Sequence, residues 1–304
     1  MSENTEISNL KISRRIAFDV VKASGENILT YLNGQITQDI KNLSSEQALY
    51  AAILNPQGKA VTDFYLLLTQ QKENWAEVMF LCPKDFTVAL IERLKMFAMG
   101  YDLRMGKVSS WEVVSVQGAD VDAGLAEQGL PVPTSVYLSS ASLSDTFALR
   151  MVESDHDGVW LMGDNIPLAS NVDEAVMEQG RILQGTPKLG VDWDVKLHPL
   201  NANLMERQGV SFDKGCYVGQ EVTSRMHWRG GIKKKLYRIQ MNEKVDVPCA
   251  IHTTAKVGEI TSLAADGEGK YRGIALLPIE VVETGKPLAA DQGAPVQILG
   301  ACGA

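Results

Sequence analysis

Nine consecutive residues, Asp213, Lys214, Gly215, Cys216, Tyr217, Val218, Gly219, Gln220 and Glu221, bring a thiol, a cation, two carboxylates and two glycines together. Cysteine reacts as the thiolate, and a lysine two positions away lowers a thiol pKa when the chain folds back to place the ammonium near sulfur. Gly215 and Gly219 permit such a fold, because glycine takes positive φ freely and lets a ligand approach the backbone. Gly219, followed by Gln220 and Glu221, also stands where a helix would open. An isolated cysteine is most often a small buried apolar side chain, and glycines most often serve turns. Charged neighbours on both sides favour the reactive reading. Cys216 and Lys214 are the expected working pair, and Asp213, Gly215, Tyr217, Gly219, Gln220, Glu221 and, farther on, Arg225 are expected to shape their loop.

The rest of the chain offers little competing chemistry. The other cysteines, Cys82, Cys249 and Cys302, are widely spread, with no Cys-x-x-Cys pair and a single nearby histidine, His252 three residues after Cys249, so no local zinc site or cluster cradle is expected. His156, His198, His227 and His252 are equally scattered. Neither Gly-x-Gly-x-x-Gly nor a phosphate-binding Gly-x-x-x-x-Gly-Lys-Ser/Thr run is present, so nucleotides held by those motifs are not expected. A net charge of −8 argues against general nucleic-acid binding, which draws its affinity from neutralised phosphates. One stretch runs against that sign. From Arg225 to Arg238 there are six Lys and Arg residues and no acid, with Trp228 and Tyr237 interleaved. Such a run is most often a solvated face, but beside the cysteine it could steer an anionic ligand, such as a polyglutamate tail or RNA.

The elements that must position these residues follow from periodicity. Ile16 to Ala23 reads as a strand. From Glu26 the period turns helical through Ile28, Leu32, Ile36 and Ile40, with Gly34 expected to break it. Leu49–Leu54 and Ala60–Thr69 read as a hairpin over the turn Asn55-Pro56-Gln57-Gly58. Glu77–Cys82 is a further strand, and Lys84–Met99 a helix ended by Gly100. Beyond it, strands are expected at 111–117, 136–138, 146–152 and 159–162, a short helix at 120–128, and a helix from an Asp173 N-cap to Gly185. Strands that cluster in pairs favour α+β layers over a doubly wound sheet. From Lys234 onward, short β runs between glycine-rich turns predict a small C-terminal β-barrel. At 304 residues the chain should divide into two or three compact units. No stretch approaches eighteen uninterrupted apolar residues, which excludes a membrane helix. The first fifteen residues carry acids and no apolar core, so cytoplasmic residence is the expectation.

The run Lys214-Gly-Cys-Tyr-x-Gly-Gln-Glu221, preceded by Gly209-Val210-Ser211-Phe212 and followed by Arg225 and Arg229-Gly230, resembles the signature of the YgfZ family of folate-binding, iron–sulfur-related proteins. That family is a branch of the glycine-cleavage T-protein (aminomethyltransferase) superfamily. The similarity extends over Leu32–Asp39, Leu54–Lys59 and Arg181–Pro187, in the same order. It implies an α+β, T-protein-like ring of domains around a central folate cavity. The expected division is 1–48 plus 110–232, interrupted by 49–109, and then a β-barrel domain at 233–304. It implies tetrahydrofolate as cofactor, with Phe18 for the pterin face, Asp63 as acceptor and Arg181 as cation for the glutamate end; Trp228, placed by the sequence at the junction before the barrel, could cover that cleft or merely seal the interface. Two departures stand out. Where aminomethyltransferases carry paired aspartates this chain has Thr62-Asp63, and where they often carry a pterin-recognising glutamate it has Leu183.

Two functions of different class follow. The preferred one is a tetrahydrofolate-binding accessory protein that supports maturation or repair of iron–sulfur enzymes, including tRNA-modifying ones, through Cys216. Its expected partners are folate and the iron–sulfur enzymes or their assembly factors, with no membrane and no direct nucleic acid. The alternative is a tetrahydrofolate-dependent aminomethyltransferase using Asp63 as acid or base.

Overall fold

A computed structural model describes residues 9–152 and 157–303; His156 and the first eight residues fall outside them. The first half of the chain holds β1 (Lys11–Arg14), β2 (Phe18–Glu26), α1 (Ile28–Asn33), β3 (Leu49–Leu54), β4 (Ala60–Lys72), β5 (Trp75–Pro83), α2 (Thr87–Met96), β6 (Arg104–Lys107), β7 (Glu112–Gln117) and α3 (Val121–Glu127). It continues through β8 (Ser140–Leu143), β9 (Thr146–Val152), β10 (Asp157–Gly163), α4 (Glu174–Gln184) and α5 (Gln220–Trp228). The C-terminal part holds β11 (Lys234–Met241), β12 (Cys249–His252), β13 (Lys256–Ala265), β14 (Tyr271–Pro278), α6 (Ile279–Glu283), β15 (Leu288–Ala290) and β16 (Pro295–Ala301).

Three sheets result. One runs β1-β7-β10-β9-β8, a second runs β3-β4-β5-β2-β6, and the six C-terminal strands close into a barrel in the order β11-β14-β13-β12-β15-β16. The expected α+β layers and terminal barrel are therefore present. Strand β2 reads in sequence with the first segment, yet it pairs with β5 and β6 inside the second sheet, leaving only β1 to cross to the first. Val136–Leu138 was expected as a strand and forms a turn instead, with Leu138 at φ 63°. Of these residues Val136 is exposed, while Leu138 is buried in the core and exchanges backbone hydrogen bonds with Arg150 and Ala48 without extending a strand.

Side-chain alternation decides how the sheets meet, since successive strand residues face opposite ways. In β5, Val78, Phe80 and Cys82 join α1 and α2 in one core, while Met79 and Leu81 join a second core shared with the first sheet. In the first sheet, Val159 and Leu161 face α3, while Trp160 and Met162 enter that same shared core. Leu236 and Ile274 of the barrel also reach it. Each of the two open sheets thus has helical residues behind it and the common apolar centre in front. Among the described residues no helix is long and apolar enough to cross a membrane.

Candidate functional site

Where the two open sheets meet α4 and the segment after it they leave a small cavity of about 40 Å³ that opens to solvent. Phe18 at the start of β2, Tyr50 on β3, Asp63 on β4, Trp160 on β10, Arg181 on α4 and Arg207 all line it. One wall is aromatic: Phe18 stands edge-on to Trp160 at 4.7 Å, and Tyr65 meets the same indole at 5.9 Å. The polar wall is a linked trio. The Tyr50 hydroxyl donates to Asp63 Oδ2 at 2.6 Å, and Arg207 donates to the Tyr50 hydroxyl, with its guanidinium 4.0 Å above the Tyr50 ring and 3.8 Å from Asp63 Oδ2. Burial pushes the Asp63 carboxyl up, and Arg207 and the Tyr50 hydrogen bond work against it. Burial also lifts Tyr50 well above its ordinary value, so its hydroxyl stays a donor at neutral pH. For Arg207 burial opposes the charge, but Tyr50, Tyr65 and Asp63 outweigh it and hold the guanidinium protonated.

Phe18, Asp63 and Arg181 share this cavity, but Arg181 does not have the role expected of it. Its Nε donates to Glu178 at 2.7 Å and an NH1 donates to buried Asp192 at 2.7 Å and to the Thr186 carbonyl. Asp192 also accepts from the hydroxyls of Ser262 at 2.5 Å and Thr261 at 2.8 Å, both on β13. Arg181 therefore ties α4 to the barrel, and a guanidinium with four of its five N–H groups already committed has little to offer a ligand carboxylate. The cation that sequence reasoning missed is Arg207. No periodicity marks it; its one signal is its place two residues before the Gly209-Val210-Ser211-Phe212 run.

The cysteine motif lies against two other stretches of similarity, and the three build one another. The Lys214 ammonium donates to the carbonyls of Asn33 at 2.7 Å, Ile36 at 2.9 Å and Gln38 at 2.7 Å. It also lies 5.1 Å from the centre of the Tyr217 ring. Ser211 N–H donates to Thr37 O at 3.0 Å, Val218 N–H to Gly34 O at 3.3 Å, and the Thr37 hydroxyl to Gly209 O at 2.6 Å. Gly219, at φ 85°, precedes the first residue of α5, and a Cβ there would lie 2.7 Å from Asn55 O and 2.8 Å from Leu54 Cβ. Gly58 of the hairpin turn, at φ 75°, sits likewise under Val222, whose Cβ is 2.8 Å from the position of an added methyl. Gln220 Oε1 accepts from Tyr217 N–H at 3.2 Å, and Tyr217 is buried, its hydroxyl pushed by burial to about 12.

Lys214 thus clamps the loop, its ammonium committed to three main-chain carbonyls. Burial draws its pKa down to about 8, and the three carbonyl oxygens act in the opposite sense by favouring the ammonium. Cys216 is exposed, as are Asp213, Gly215 and Glu221 around it. Arg225 is exposed on α5. Trp228 does not line the cavity: it is 72% exposed at the end of α5, edge-on to His227 at 4.6 Å, while His227 stacks on Phe212 at 4.0 Å. An indole at a domain junction reads as a cleft cover in sequence, but α5 carries this one outward.

No protein-family model matches the chain. In sequence it is 25% identical over 297 residues to the human mitochondrial iron–sulfur cluster assembly factor IBA57, covering 92% of this chain and 80% of that protein. It is 24% identical over 282 residues to the tRNA-modifying protein YgfZ of Vibrio vulnificus, covering 90% of this chain and 85% of that protein. The resemblance to the YgfZ family is borne out. In structure the chain matches the glycine cleavage system aminomethyltransferase T of Bartonella henselae with a TM-score of 0.80 over 95% of its length, at 15% identity. The architecture is accordingly that of the T-protein fold, reached by a sequence whose relatives carry other names.

Proposed function

We propose that this chain is a tetrahydrofolate-binding accessory protein that supports the maturation or repair of iron–sulfur enzymes, tRNA-modifying ones among them, with Cys216 as its working thiol. The observation that carries this reading is the economy of the motif loop. Lys214, Tyr217, Gly219 and Gln220 hold or pack the loop, and the thiol is left exposed on it. A structural cysteine would be buried like Cys82, Cys249 and Cys302. The names of the similar proteins, an iron–sulfur cluster assembly factor and a tRNA-modifying protein, point the same way.

The cavity residues suit a folate. Phe18 and Trp160 offer apolar ring surface to a pterin, Asp63 a buried acceptor for its N–H groups, and Arg207 a cation for a carboxylate. Bound folate would supply one-carbon or redox chemistry at its pterin ring. Asp63 stands alone as a carboxylate in the cavity, where the transferase pattern has two, and this favours binding over aminomethyl transfer. Equilibrium binding of tetrahydrofolate, measured beside a glycine-cleavage half-reaction, tests both parts. Binding without turnover is the expected result; turnover at a transferase's rate would replace this function with the alternative. For the thiol, Cys216→Ser should fold and bind folate normally but fail to sustain iron–sulfur enzyme activity in cells that lack the wild-type protein.

A further inference from the structure

We propose that the outward face of α5 and the turn after it form a docking surface for a protein partner with an acidic face. Trp228 is its centre, 72% exposed. In the same stretch Arg225, Arg229, Lys233 and Lys234 are exposed, and none of the four makes an ion pair among the described residues, whereas Lys235 is paired with Glu206. Cations in the last turn of a helix answer its dipole, but that need ends with Arg225 and His227 and does not extend to Lys234. The patch is also pre-formed. His227 stacks on Phe212 at 4.0 Å and an interplanar angle of 15°, and the indole stands edge-on to both rings, at 4.6 Å and 6.3 Å. Phe212, Met226 and Ile232 anchor this corner to the central core. An ordered, exposed indole with Arg225 three residues before it on the helix and Arg229 directly after it combines two of the residue types that dominate protein–protein binding energy.

Charge selects the partner. A chain of net charge −8 that keeps four exposed cations without ion pairs between Arg225 and Lys234, beside an exposed indole, is complementary to an acidic surface of limited extent. A long polyphosphate strand would run past the patch into the acidic remainder of the molecule. A stacking platform for bases also needs a row of open rings, and here Phe212 and His227 already cover one another. Glu221, exposed on α5 seven residues before Trp228, marks the patch's border toward Cys216.

The test uses the full chain and a fluorescein-labelled peptide of Asp and Glu residues around a central leucine, read by anisotropy. The peptide should bind at low salt and weaken as salt rises. Trp228→Ala should lower its affinity at least tenfold, and Arg225→Glu with Arg229→Glu should abolish binding. That double variant should instead take up a lysine-for-acid version of the peptide. The substituted side chains are exposed, so an unchanged urea midpoint certifies that each variant is folded. Tighter, Trp228-dependent binding of a twelve-residue oligouridylate would overturn the proposal in favour of a nucleic-acid surface. Concentration-dependent dimers lost in Trp228→Ala would overturn it in favour of self-association. Equal peptide binding by wild type and Trp228→Ala, or no binding at all, would leave only a solvated basic face.

Discussion

Replacing Lys214 by methionine separates a clamp from an activator of Cys216, because the two roles predict opposite signs. Methionine keeps an unbranched apolar stem and removes the ammonium. Three charge-assisted hydrogen bonds disappear, each worth about 1.5–3 kcal/mol before the cost of burying the charge is subtracted. That cost is several kcal/mol, so the surplus from the bonds is small. What remains is the fate of the acceptors. Asn33 and Gln38 are half-buried and their carbonyls can regain water, whereas Ile36 is fully buried and its carbonyl stays orphaned at about 1–3 kcal/mol. The expected net loss is about 3 kcal/mol, read as a lower urea midpoint at unchanged slope. Lys214→Arg should recover little, since a planar fork cannot serve three converging carbonyls. The loop that bears Cys216 is then less restrained, so alkylation of the thiol by iodoacetamide at neutral pH should stay equal or quicken. Slower alkylation with full stability would refute the clamp and establish Lys214 as the group that favours the thiolate.

Gly219→Ala should lower stability by about 3 kcal/mol in the same urea assay, combining about 1–2 for a left-handed non-glycine residue with the contact against Leu54 and Asn55. Arg207→Leu should cost about 3–5 kcal/mol by stranding the Asp63 carboxylate, and adding Asp63→Asn should recover most of it; simple addition of the two losses would show that the pair is uncoupled. His198 is buried, and desolvation followed by the nearby Lys59 charge lowers its pKa from 6.5 to about 4. The unfolded chain therefore binds the extra proton first, and stability complete above pH 6.5 should fall by up to about 3 kcal/mol as the pH drops toward 4. His198→Asn, which keeps an acceptor for the Leu200 N–H, should flatten that part of the pH profile in thermal unfolding.

Local grammar made much of the fold legible. The Asn55-Pro56-Gln57-Gly58 turn closes the β3–β4 hairpin where proline and glycine place it, α1 ends before Gly34, and α4 ends at Gly185 with φ 74°. The barrel strands also fall where short β runs alternate with glycine turns. What escaped is non-local. The pairing of β2 with β5 joins residues far apart in the chain, from Glu26 with Trp75 to Phe18 with Pro83, which periodicity does not encode. Arg181 and Arg207 look alike in sequence; only the fold brings Asp192 and Ser262 to the first and Tyr50 and Asp63 to the second. The clamp by Lys214 escaped for the same reason, because its acceptors lie more than 170 residues earlier in the chain.

The cavity and the exposed thiol are joined by two short pieces of chain, and this bears on why one fold would carry both. Strand β3 has Tyr50 in the cavity wall and Leu54 against Gly219 of the motif, four residues apart and so about 13 Å along a strand. A second piece leads from Arg207 in the cavity wall through Gly209 and Ser211, both hydrogen-bonded to Thr37, to the Lys214 clamp. Thr37 fastens the two together, since its hydroxyl donates to Gly209 O and accepts from Ala52 N–H at the middle of β3. Gly209 lies so close under Tyr50 that an added Cβ would sit 2.9 Å from the ring. A ligand that pulls on Asp63 or Arg207 therefore pulls on Tyr50, and Tyr50 cannot shift without moving Gly209 or β3. Both lead to the loop that presents Cys216. Packed, hydrogen-bonded connections of this kind transmit small displacements because close-packed interiors do not absorb them. Occupancy of the cavity should accordingly change the alkylation rate of Cys216, and Thr37→Val, which removes both hydrogen bonds while keeping the shape, should weaken that dependence before it affects ligand affinity.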